Sequence, residues 1–350
     1  MCKNYRVSKL GEIMDSEINE IPRIFGELVG INPITEELAN FLKAEKIHSI
    51  LLLARGTSDN AAHFFKYLVE TQLGLPCGLT SPSAVTIYDS KLHYQGTLVV
   101  AISQSGQSTD LVEFAKAAKS SGAKLISITN DETSPLAVGS DFHLSLQTGP
   151  ELAVAATKTY AAQLLISYLL VMAWAGKKPH TEDLVSQADA VLEQCNNLSS
   201  AVEKIDLGRE IVVLGRGFAY PNAKEAALKI QETSKVNVQG MSTADYLHGP
   251  ISALNADTQV IFITPNKMPS NSIVEALLKI RPITKHIFWI GNSSEPIDGE
   301  IKLGGASCAD EITSSIVDAI VLQKLSLHLA VANGFNPDAP KGLSKVTMTI

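Results

Sequence analysis

The sequence predicts an α/β protein of two tandem domains, each a three-layer αβα sandwich around a five-stranded parallel sheet of the flavodoxin-like kind. Two observations support this fold class. A unit of about 160 residues occurs twice, since 53–56 and 214–217 match at the same offset as 97–100 and 258–261. Short apolar runs also alternate with amphipathic helical segments, which is typical of parallel strands covered on both faces.

The predicted elements follow each other in a regular order. Residues 6–30 have the apolar spacing of a helix and predict a leading helix within segment 1–34, which the Asn-Pro pair at 32–33 ends. The first domain is expected over 35–178. Its strand candidates are 49–53, 77–80, 98–102, 124–129 and 142–146.

A polar helical segment, 179–205, is expected to join the first domain to the second, 206–334. The strand candidates of the second domain are 211–214, 236–239, 259–263, 286–290 and 300–303. The tail, 335–350, begins with a stretch containing Pro337 and Pro340, which excludes regular structure. This tail could fold over a site.

Composition and charge exclude several function classes. The 350 residues are 45% hydrophobic, enough for two cores, and a net charge of −7 without a basic stripe argues against nucleic-acid binding. The four cysteines show no metal-ligand spacing and indicate reduced thiols of a cytoplasmic protein. No signal peptide is recognisable, and the most apolar stretch, 164–175, is too short to span a membrane. No metal or organic cofactor has a sequence signature, so none is expected.

A Ser-rich loop in the first repeat is the main candidate for anion binding. It runs from Ser103 to Ser108, after the apolar run 98–102 and before the helical pattern 111–119. It would therefore place hydroxyls, an amide and backbone N–H groups at a helix N-terminus. The alternative is a polar turn that only caps the helix. No Walker lysine is present, which disfavours nucleotide hydrolysis.

A second donor set follows the first strand of the same repeat. Gly56 permits a tight turn, and Thr57 or Ser58 can cap the next helix. In this fold the two loops lie side by side, and together they favour a phosphate. In the second repeat, residues 216–219 lack the hydroxyls and 264–270 lack the Ser/Gly turn. One phosphate site per chain is therefore predicted.

Three charged residues share one face of a helix in the second repeat. Lys229 lies four residues after Glu225, and Glu232 lies three after Lys229. A surface ion-pair ladder is the commoner meaning of this spacing. A carboxylate beside an ammonium is also what proton abstraction next to a carbonyl requires, because the carboxylate moves the proton and the ammonium stabilises the developing enolate.

Two further residues allow a structural or a functional interpretation. His248 precedes a Gly-Pro turn that would hold its imidazole in a defined place, and histidine titrates in the range that suits sugar ring opening. A lone histidine is more often structural. Glu151 precedes a long helical segment, where it is either an acid favoured by the helix dipole or a group that binds substrate hydroxyls.

Taken together, these residues resemble the sugar isomerase (SIS) family in its double-domain form, which implies two tandem SIS domains. The similarity covers roughly residues 35–350. It is nearest to the isomerase half of glucosamine-6-phosphate synthase and to stand-alone SIS-type glucosamine-6-phosphate deaminases. The motifs that carry it are Gly56-Thr57-Ser58, Ser103-Gln104-Ser105-Gly106, Val154-Ala155-Ala156-Thr157-Lys158, the helix from Glu225 to Glu232, His248-Gly249-Pro250 and Leu343-Ser344-Lys345.

The resemblance implies a role for each matching position. Residues implied to bind the 6-phosphate are Gly56, Thr57, Ser58, Ser103, Gln104, Ser105 and Ser108. Residues implied to contact the sugar are Glu151, Val154 and Ala155. Glu232 would be the base that moves a proton between C1 and C2, assisted by Lys229. His248 would help to open the ring, entering the neighbouring subunit's site in a homodimer, and Lys345 would form a Schiff base with the open-chain ketose.

The function implied is that of an amino-sugar-phosphate isomerase/deaminase, converting glucosamine 6-phosphate and water to fructose 6-phosphate and ammonia. The same fold could instead aminate fructose 6-phosphate, with ammonia from solution or from a partner glutaminase. It could also act on galactosamine 6-phosphate or on a glycated amine 6-phosphate. A non-catalytic sugar-phosphate sensor is the alternative from another class, although it would not need Glu232 or His248.

The sequence departs from the synthase at a few positions. Ala156 stands where the synthase usually has serine, and Asp245 replaces a glutamate. Arg55 before the Gly-Thr-Ser turn resembles the deaminases. The glutaminase domain of the synthase has no counterpart here, so Cys2 is not expected to act as a nucleophile.

Overall fold

Two parallel five-stranded sheets form the centre of the computed structural model, which describes residues 9–269, 271, 273–293 and 296–345. The strands of the first sheet are β1 (Ser49–Leu53), β2 (Cys77–Leu79), β3 (Thr97–Ile102), β4 (Lys124–Thr129) and β5 (Phe142–Ser145). Those of the second are β6 (Ile211–Gly215), β7 (Val238–Ser242), β8 (Gln259–Ile263), β9 (Ile287–Ile290) and β10 (Ile301–Gly304). The strand orders are β2-β1-β3-β4-β5 and β7-β6-β8-β9-β10, the same flavodoxin-like order twice. The predicted fold class is confirmed.

Helices cover both faces of each sheet. The helices in the first half of the chain are α1 (Glu12–Asn19), α2 (Ile21–Ile31), α3 (Glu36–Ala44), α4 (Gly56–Leu68), α5 (Ser83–Thr86), α6 (Thr109–Ser120), α7 (Pro135–Gly139) and α8 (Lys158–Trp174), with a π-helical turn at Val69–Leu73. The later ones are α9 (Leu184–Cys195), α10 (Ser199–Val202), α11 (Ala219–Ser234), α12 (Thr243–Leu247), α13 (Val274–Ile280) and α14 (Glu311–Ala332), with a 3₁₀ turn at Pro250–Ala253.

Side-chain alternation along the strands builds the layers. In β3, Val100 and Ile102 face a core that the two sheets share, whereas Val99 and Ala101 pack with α6 on the opposite face. α4 packs against both α8 and α11, and α11 packs against α14. The helices that follow β1 and β6 therefore meet between the sheets, and this contact brings residues of the two repeats together.

The predicted strands all occur, with ends shifted by two or three residues at most, but two predicted helices are divided. The leading segment forms α1 and α2 rather than one helix, because Pro22 lies in the first turn of α2, the only helical position that tolerates a residue without a backbone N–H. The linker forms α9 and α10, separated at Asn196 and Asn197, a residue type that competes for backbone hydrogen bonds. Residues 335–345 form no regular element, whereas 346–350 and Cys2 lie outside the described residues.

One helix has the length and composition of a membrane span. It is α14, with 22 residues and a mean hydropathy of 1.5 over its most apolar window, but 83% of that window is buried inside the protein. A helix that is buried on all sides in a protein core is also apolar on every face. Its packing against α11 and α9 is consistent with that explanation.

The buried Asp318 of α14 predicts a pH-dependent stability. Its Oδ1 accepts the N–H of Ala306 at 2.8 Å, and burial raises its pKa to about 7. The folded protein therefore holds a proton that the unfolded chain releases between about pH 4 and pH 7, so stability falls as the pH rises through this window. We expect the free energy of unfolding of Asp318→Asn, relative to that of wild type, to be about 3 kcal/mol higher at pH 8 than at pH 5. Urea unfolding at both pH values measures this difference.

The control for this prediction is Asp257→Asn. Asp257 is 77% exposed and pairs with Arg209 at the surface, so its replacement should change stability little and equally at both pH values. A gain for Asp318→Asn that is the same at pH 5 and pH 8 would contradict the prediction.

Candidate active site

A cavity of about 340 Å³ lies at the carboxyl ends of the neighbouring strands β1 and β3, between which the strand order changes direction. This is the switch point of the first sheet, the position at which parallel sheets of this kind bind ligands. The residues that line it are Arg55, Gly56, Thr57, Ser58, Ile102, Ser103, Gln104, Ser105, Ser108, Leu111, Val154, Ala156, Lys229, Glu232, Leu343, Ser344 and Lys345. The cavity thus brings together both predicted phosphate loops, the charged helix of the second repeat and the tail.

The Ser-rich loop is folded by its own hydroxyl groups. The Gly106 N–H donates to Ser103 Oγ at 3.1 Å, and the Gln107 N–H donates to Ser105 Oγ at 3.3 Å. Ser108 precedes α6 but its side chain does not cap the helix. The Leu111 N–H donates to Asp110 Oδ1 at 2.9 Å, but the N–H groups of Thr109 and Asp110 have no partner among the described residues, and they and the helix dipole favour an anion at the loop.

Gly106 allows a direct test of this loop. It has φ +64°, and a Cβ there would lie 2.2 Å from Ser134 Oγ. We expect Gly106→Ala to distort the loop and to weaken sugar-phosphate binding at least about tenfold, at a cost in stability of roughly 1–3 kcal/mol. Gly139→Ala is the matched control, since a Cβ at Gly139 meets nothing within 4 Å. Calorimetric titration with glucosamine 6-phosphate measures the effect, and equal affinities for both variants would contradict it.

The loop after β1 contributes a cation that the sequence-based site left out. Arg55 lines the cavity while its Nε donates to the buried Asp110 at 2.9 Å, which holds the guanidinium near the Ser-rich loop. Gly56 has φ +56° and open space at its Cβ position. The signals in the sequence were the position of Arg55, two residues after the first strand, and its resemblance to the deaminases.

Thr57 and Ser58 line the cavity with hydroxyls that also have protein partners. Thr57 Oγ1 donates to Glu225 Oε1 at 3.1 Å, so this hydroxyl joins the two domains. Ser58 Oγ accepts from Gln163 Nε2 at 3.0 Å, which leaves its own proton for a ligand. Of the two hydroxyls, Ser58 is thus the better placed to donate to a phosphate.

The three charged residues of α11 form a buried chain rather than a surface ladder. Glu225 and Lys229 are fully buried, and the side chain of Glu232 is 24% exposed. Lys229 Nζ lies 3.6 Å from Glu225 Oε1 and donates to Glu232 Oε2. The carboxylate at the cavity end of this chain belongs to Glu232, and its Oε1 accepts no hydrogen bond from the residues that the structure describes.

Burial and neighbouring charges shift the pKa values of Lys229 and Glu225 in opposite directions. Burial alone would lower the pKa of Lys229, but the carboxylates of Glu225 and Glu232 outweigh it, so the pKa lies above its ordinary value. Burial raises the pKa of Glu225 to about 7 despite Lys229 and the hydrogen bonds from Asn60 and Thr57. Lys229 is therefore an ammonium that faces the cavity, as stabilisation of a developing oxyanion requires.

The tail lies against the loop that precedes α8. Lys345 Nζ donates to Glu151 Oε2 at 2.8 Å and to the Ala153 carbonyl at 2.7 Å. Glu151 Oε1 accepts the N–H of Thr157 at 2.9 Å, so this carboxylate both orders the start of α8 and binds the tail. Val154 lines the cavity, whereas Glu151 and the buried Ala155 do not.

The leading helices support this loop from outside the cavity. Glu17 of α1 accepts the N–H groups of Leu152 and Ala153. Asp338 of the tail accepts the N–H of Met14 at 2.8 Å, and its own carbonyl accepts the Val154 N–H at 3.1 Å. Nothing in the sequence pattern linked these carboxylates to the site, because their partners are backbone groups far along the chain.

His248 lies outside the cavity of its own chain. It is an exposed residue directly after α12, in electrostatic contact with Glu275 of α13. A role in the neighbouring subunit's site therefore remains a prediction. Among the residues that the structure describes, no group of three His, Cys, Asp or Glu side chains is arranged to hold a metal ion.

The repeated flavodoxin-like sheet and the polar cavity at its first switch point define a tandem α/β protein whose two repeats and tail line one cavity together. The SIS domain model matches residues 44–173 and 207–332, and the chain belongs to this family. A curated relative from Thermococcus kodakarensis, glutamine–fructose-6-phosphate aminotransferase [isomerizing], is 31% identical over 95% of this chain and 57% of its own length. The predictions of the double-SIS family and of an enzyme are confirmed at the level of the family.

Solved structures show the same fold. The C-terminal domain of glucosamine-fructose-6-phosphate aminotransferase from Francisella tularensis superposes with a TM-score of 0.85 at 23% identity, covering 97% of this chain and all of that one. Glucosamine-6-phosphate deaminase from Thermotoga maritima gives 0.76 at 21% identity, covering 98% and 100%. The chain spans 51–58% of the length of the curated aminotransferases that it matches.

Proposed function

We propose that the chain is an amino-sugar-phosphate isomerase/deaminase that converts glucosamine 6-phosphate and water to fructose 6-phosphate and ammonia. One observation carries the proposal: a carboxylate paired with a buried ammonium, Glu232 with Lys229, lines the same cavity of about 340 Å³ as the Ser-rich loop. A phosphate bound at the loop would fix one end of the sugar. The reacting carbons would then lie toward Glu232.

The reaction follows from these groups. After ring opening, Glu232 removes the proton from C2 of the aldose and returns it to C1, while Lys229 stabilises the oxygen that gains charge in the enol-like intermediate. The product is a ketimine at C2. Water adds to the C=N bond, and the C–N bond then breaks to release ammonia and leave fructose 6-phosphate. Lys345 lines the cavity, and once it leaves Glu151 it would approach the open-chain ketose.

A second candidate is the reverse direction, amination of fructose 6-phosphate with ammonia. It is favoured by the curated relatives, which are named aminotransferases and share 26–31% identity with this chain. The same residues would act in reverse order. Direction is therefore a question of equilibrium and of ammonia supply rather than of site geometry.

We also propose that the active unit is a homodimer. In the single chain His248 is exposed and outside the cavity, so the group proposed for ring opening would have to come from His248 of the partner subunit. Mixing a Glu232→Gln chain with a His248→Ala chain should restore activity in the heterodimer, in which one site keeps both groups. Activity no higher than that of either variant alone would contradict shared sites.

A substrate panel tests the reaction itself. Purified protein is incubated with glucosamine 6-phosphate, galactosamine 6-phosphate or fructosyl-lysine 6-phosphate, and with fructose 6-phosphate plus ammonia. Ammonia and ketose phosphate are measured with the two hexosamine phosphates, released lysine with fructosyl-lysine 6-phosphate, and newly formed glucosamine 6-phosphate with fructose 6-phosphate plus ammonia. We expect the highest rate of ammonia release from glucosamine 6-phosphate. Binding of all the sugar phosphates without turnover of any would overturn the proposal and favour a sensor.

A further inference from the structure

A second cavity lies at the carboxyl end of the second sheet. Its volume is about 500 Å³, and it adjoins the ends of β6 and β7, whereas the first site lies at the ends of β1 and β3, whose counterparts are β6 and β8. The residues that line it are Tyr67, Thr71, Arg216, Gly217, Phe218, Tyr220, Ser242, Ala244, Asp245, Pro269 and Glu311. None of these residues belongs to the proposed active site.

An internal carboxylate occupies the place in this cavity where an anionic ligand would be expected. Glu311 accepts the backbone N–H of Phe218, and its Oε1 would lie 3.4 Å from a Cβ at Gly217. Gly217 and Phe218 form the turn at the start of α11, which corresponds to the Gly56-Thr57 turn of the first site. A phosphate at this turn would meet the Glu311 carboxylate, so the second cavity is unsuited to a sugar phosphate.

The Thr71 hydroxyl donates to the Tyr67 carbonyl at 2.7 Å, but four other polar side chains of the cavity have no partner among the described residues. Within the described part of the chain, no hydrogen bond or ion pair involves the Arg216 guanidinium, the Asp245 carboxylate or the hydroxyls of Tyr67 and Tyr220. Arg216 and Asp245 both line this cavity, and both act electrostatically on Tyr67. A guanidinium and carboxylates in one cavity match a ligand that carries a carboxylate and an ammonium together.

The rest of the wall is aromatic. Tyr67 packs on Phe218 with ring centroids 5.8 Å apart, and Tyr220 lies beside them at the start of α11. Rings of this kind bind apolar groups, and a cavity of a few hundred Å³ is ordinary for a small metabolite.

We propose that this cavity binds a free α-amino acid with an apolar side chain. Its carboxylate pairs with Arg216, its ammonium pairs with Asp245 and Glu311, and its side chain lies on the rings of Tyr67 and Tyr220. The two cavities share no lining residue, although Asp245 belongs to α12, the helix that directly precedes His248.

Calorimetric titration of the full chain with L-phenylalanine and L-leucine tests the proposal. We expect saturable binding of at least one of them. Phenethylamine lacks the carboxylate of L-phenylalanine, and N-acetyl-L-phenylalanine lacks its ammonium, so each should bind at least tenfold more weakly. Failure of both amino acids to bind, or binding of either analogue as tightly as L-phenylalanine, would overturn the proposal.

Two variants locate the binding. Arg216→Ala removes an exposed side chain without a structural partner, and Glu311→Gln keeps an oxygen for the Phe218 N–H; each should weaken amino-acid binding at least tenfold. Arg55→Ala, the corresponding change in the first repeat, should weaken sugar-phosphate binding but leave amino-acid binding unchanged. Amino-acid binding that survives in Arg216→Ala and is lost in Arg55→Ala would place the ligand in the first site and refute the second.

Discussion

Glu232→Gln is expected to lower kcat for ammonia release about 10²–10⁴-fold while the affinity for glucosamine 6-phosphate changes little. The amide has the size of the carboxylate and can still accept from Lys229, so the cavity keeps its shape. It cannot accept the C2 proton. The loss should therefore appear in kcat, whereas the interactions that bind substrate and transition state equally are preserved. The measurement is steady-state ammonia release combined with calorimetric titration of the substrate.

Glu182→Gln, just before α9, is the matched control. The side chain of Glu182 is 63% exposed and pairs with Lys178 at the surface, so its replacement should leave kcat within about twofold of wild type. Solvent-derived deuterium at C1 of the product offers a second readout, because Glu232→Gln should slow its incorporation in parallel with ammonia release. Unchanged turnover in Glu232→Gln would show that another group moves the proton.

The sequence predicted the fold well because its signals were local. Each strand is a short apolar run, and the repeat placed equivalent runs about 160 residues apart, so the two sheets and their common order could be inferred without any tertiary contact. Helix ends were harder, since the division at Glu20 depends on where Pro22 can be tolerated. The Ser-rich loop could also be predicted from local sequence, because Gly106, whose φ is positive, and the serines that fold the loop lie within a few residues of each other.

The parts of the site that the sequence left unresolved depend on distant contacts. The spacing of Glu225, Lys229 and Glu232 fits an exposed ladder as well as a buried chain. What decides between them is the packing of α11 against α4, which buries Glu225 under Thr57 and Asn60. The support of the tail by α1, through Asp338 and Met14, joins residues more than 320 positions apart and has no local signature.

Because Glu225 and Lys229 are buried together, loss of Lys229 should lower the stability of the fold strongly. Lys229→Met removes a fully buried ammonium and leaves Glu225 in an apolar interior without its cation. We expect the free energy of unfolding to fall by about 3–5 kcal/mol at pH 8, the usual result of breaking a buried pair by removing one partner. Activity should fall as well, because the oxyanion loses its stabilising charge.

The pH dependence separates this explanation from a simple packing defect. Burial raises the pKa of Glu225 to about 7 even with Lys229 present, and Lys229 acts to lower it. Without the lysine the folded pKa rises further, so the folded state keeps its proton to higher pH and loses stability as the pH rises through that extended window. Lys229→Met should therefore be less destabilised at pH 6 than at pH 8, whereas a packing defect costs the same at both.

Two companion variants complete the test by urea unfolding. Lys279→Met removes an equally spaced but half-exposed lysine, 2.8 Å from Glu275, and should cost less than about 1 kcal/mol at either pH. Lys229→Met combined with Glu225→Gln removes both members of the buried pair, so it should recover part of the stability lost at pH 8 and none of the activity. A double variant no more stable than Lys229→Met would mean that the uncompensated Glu225 carboxylate is not the cause of the loss.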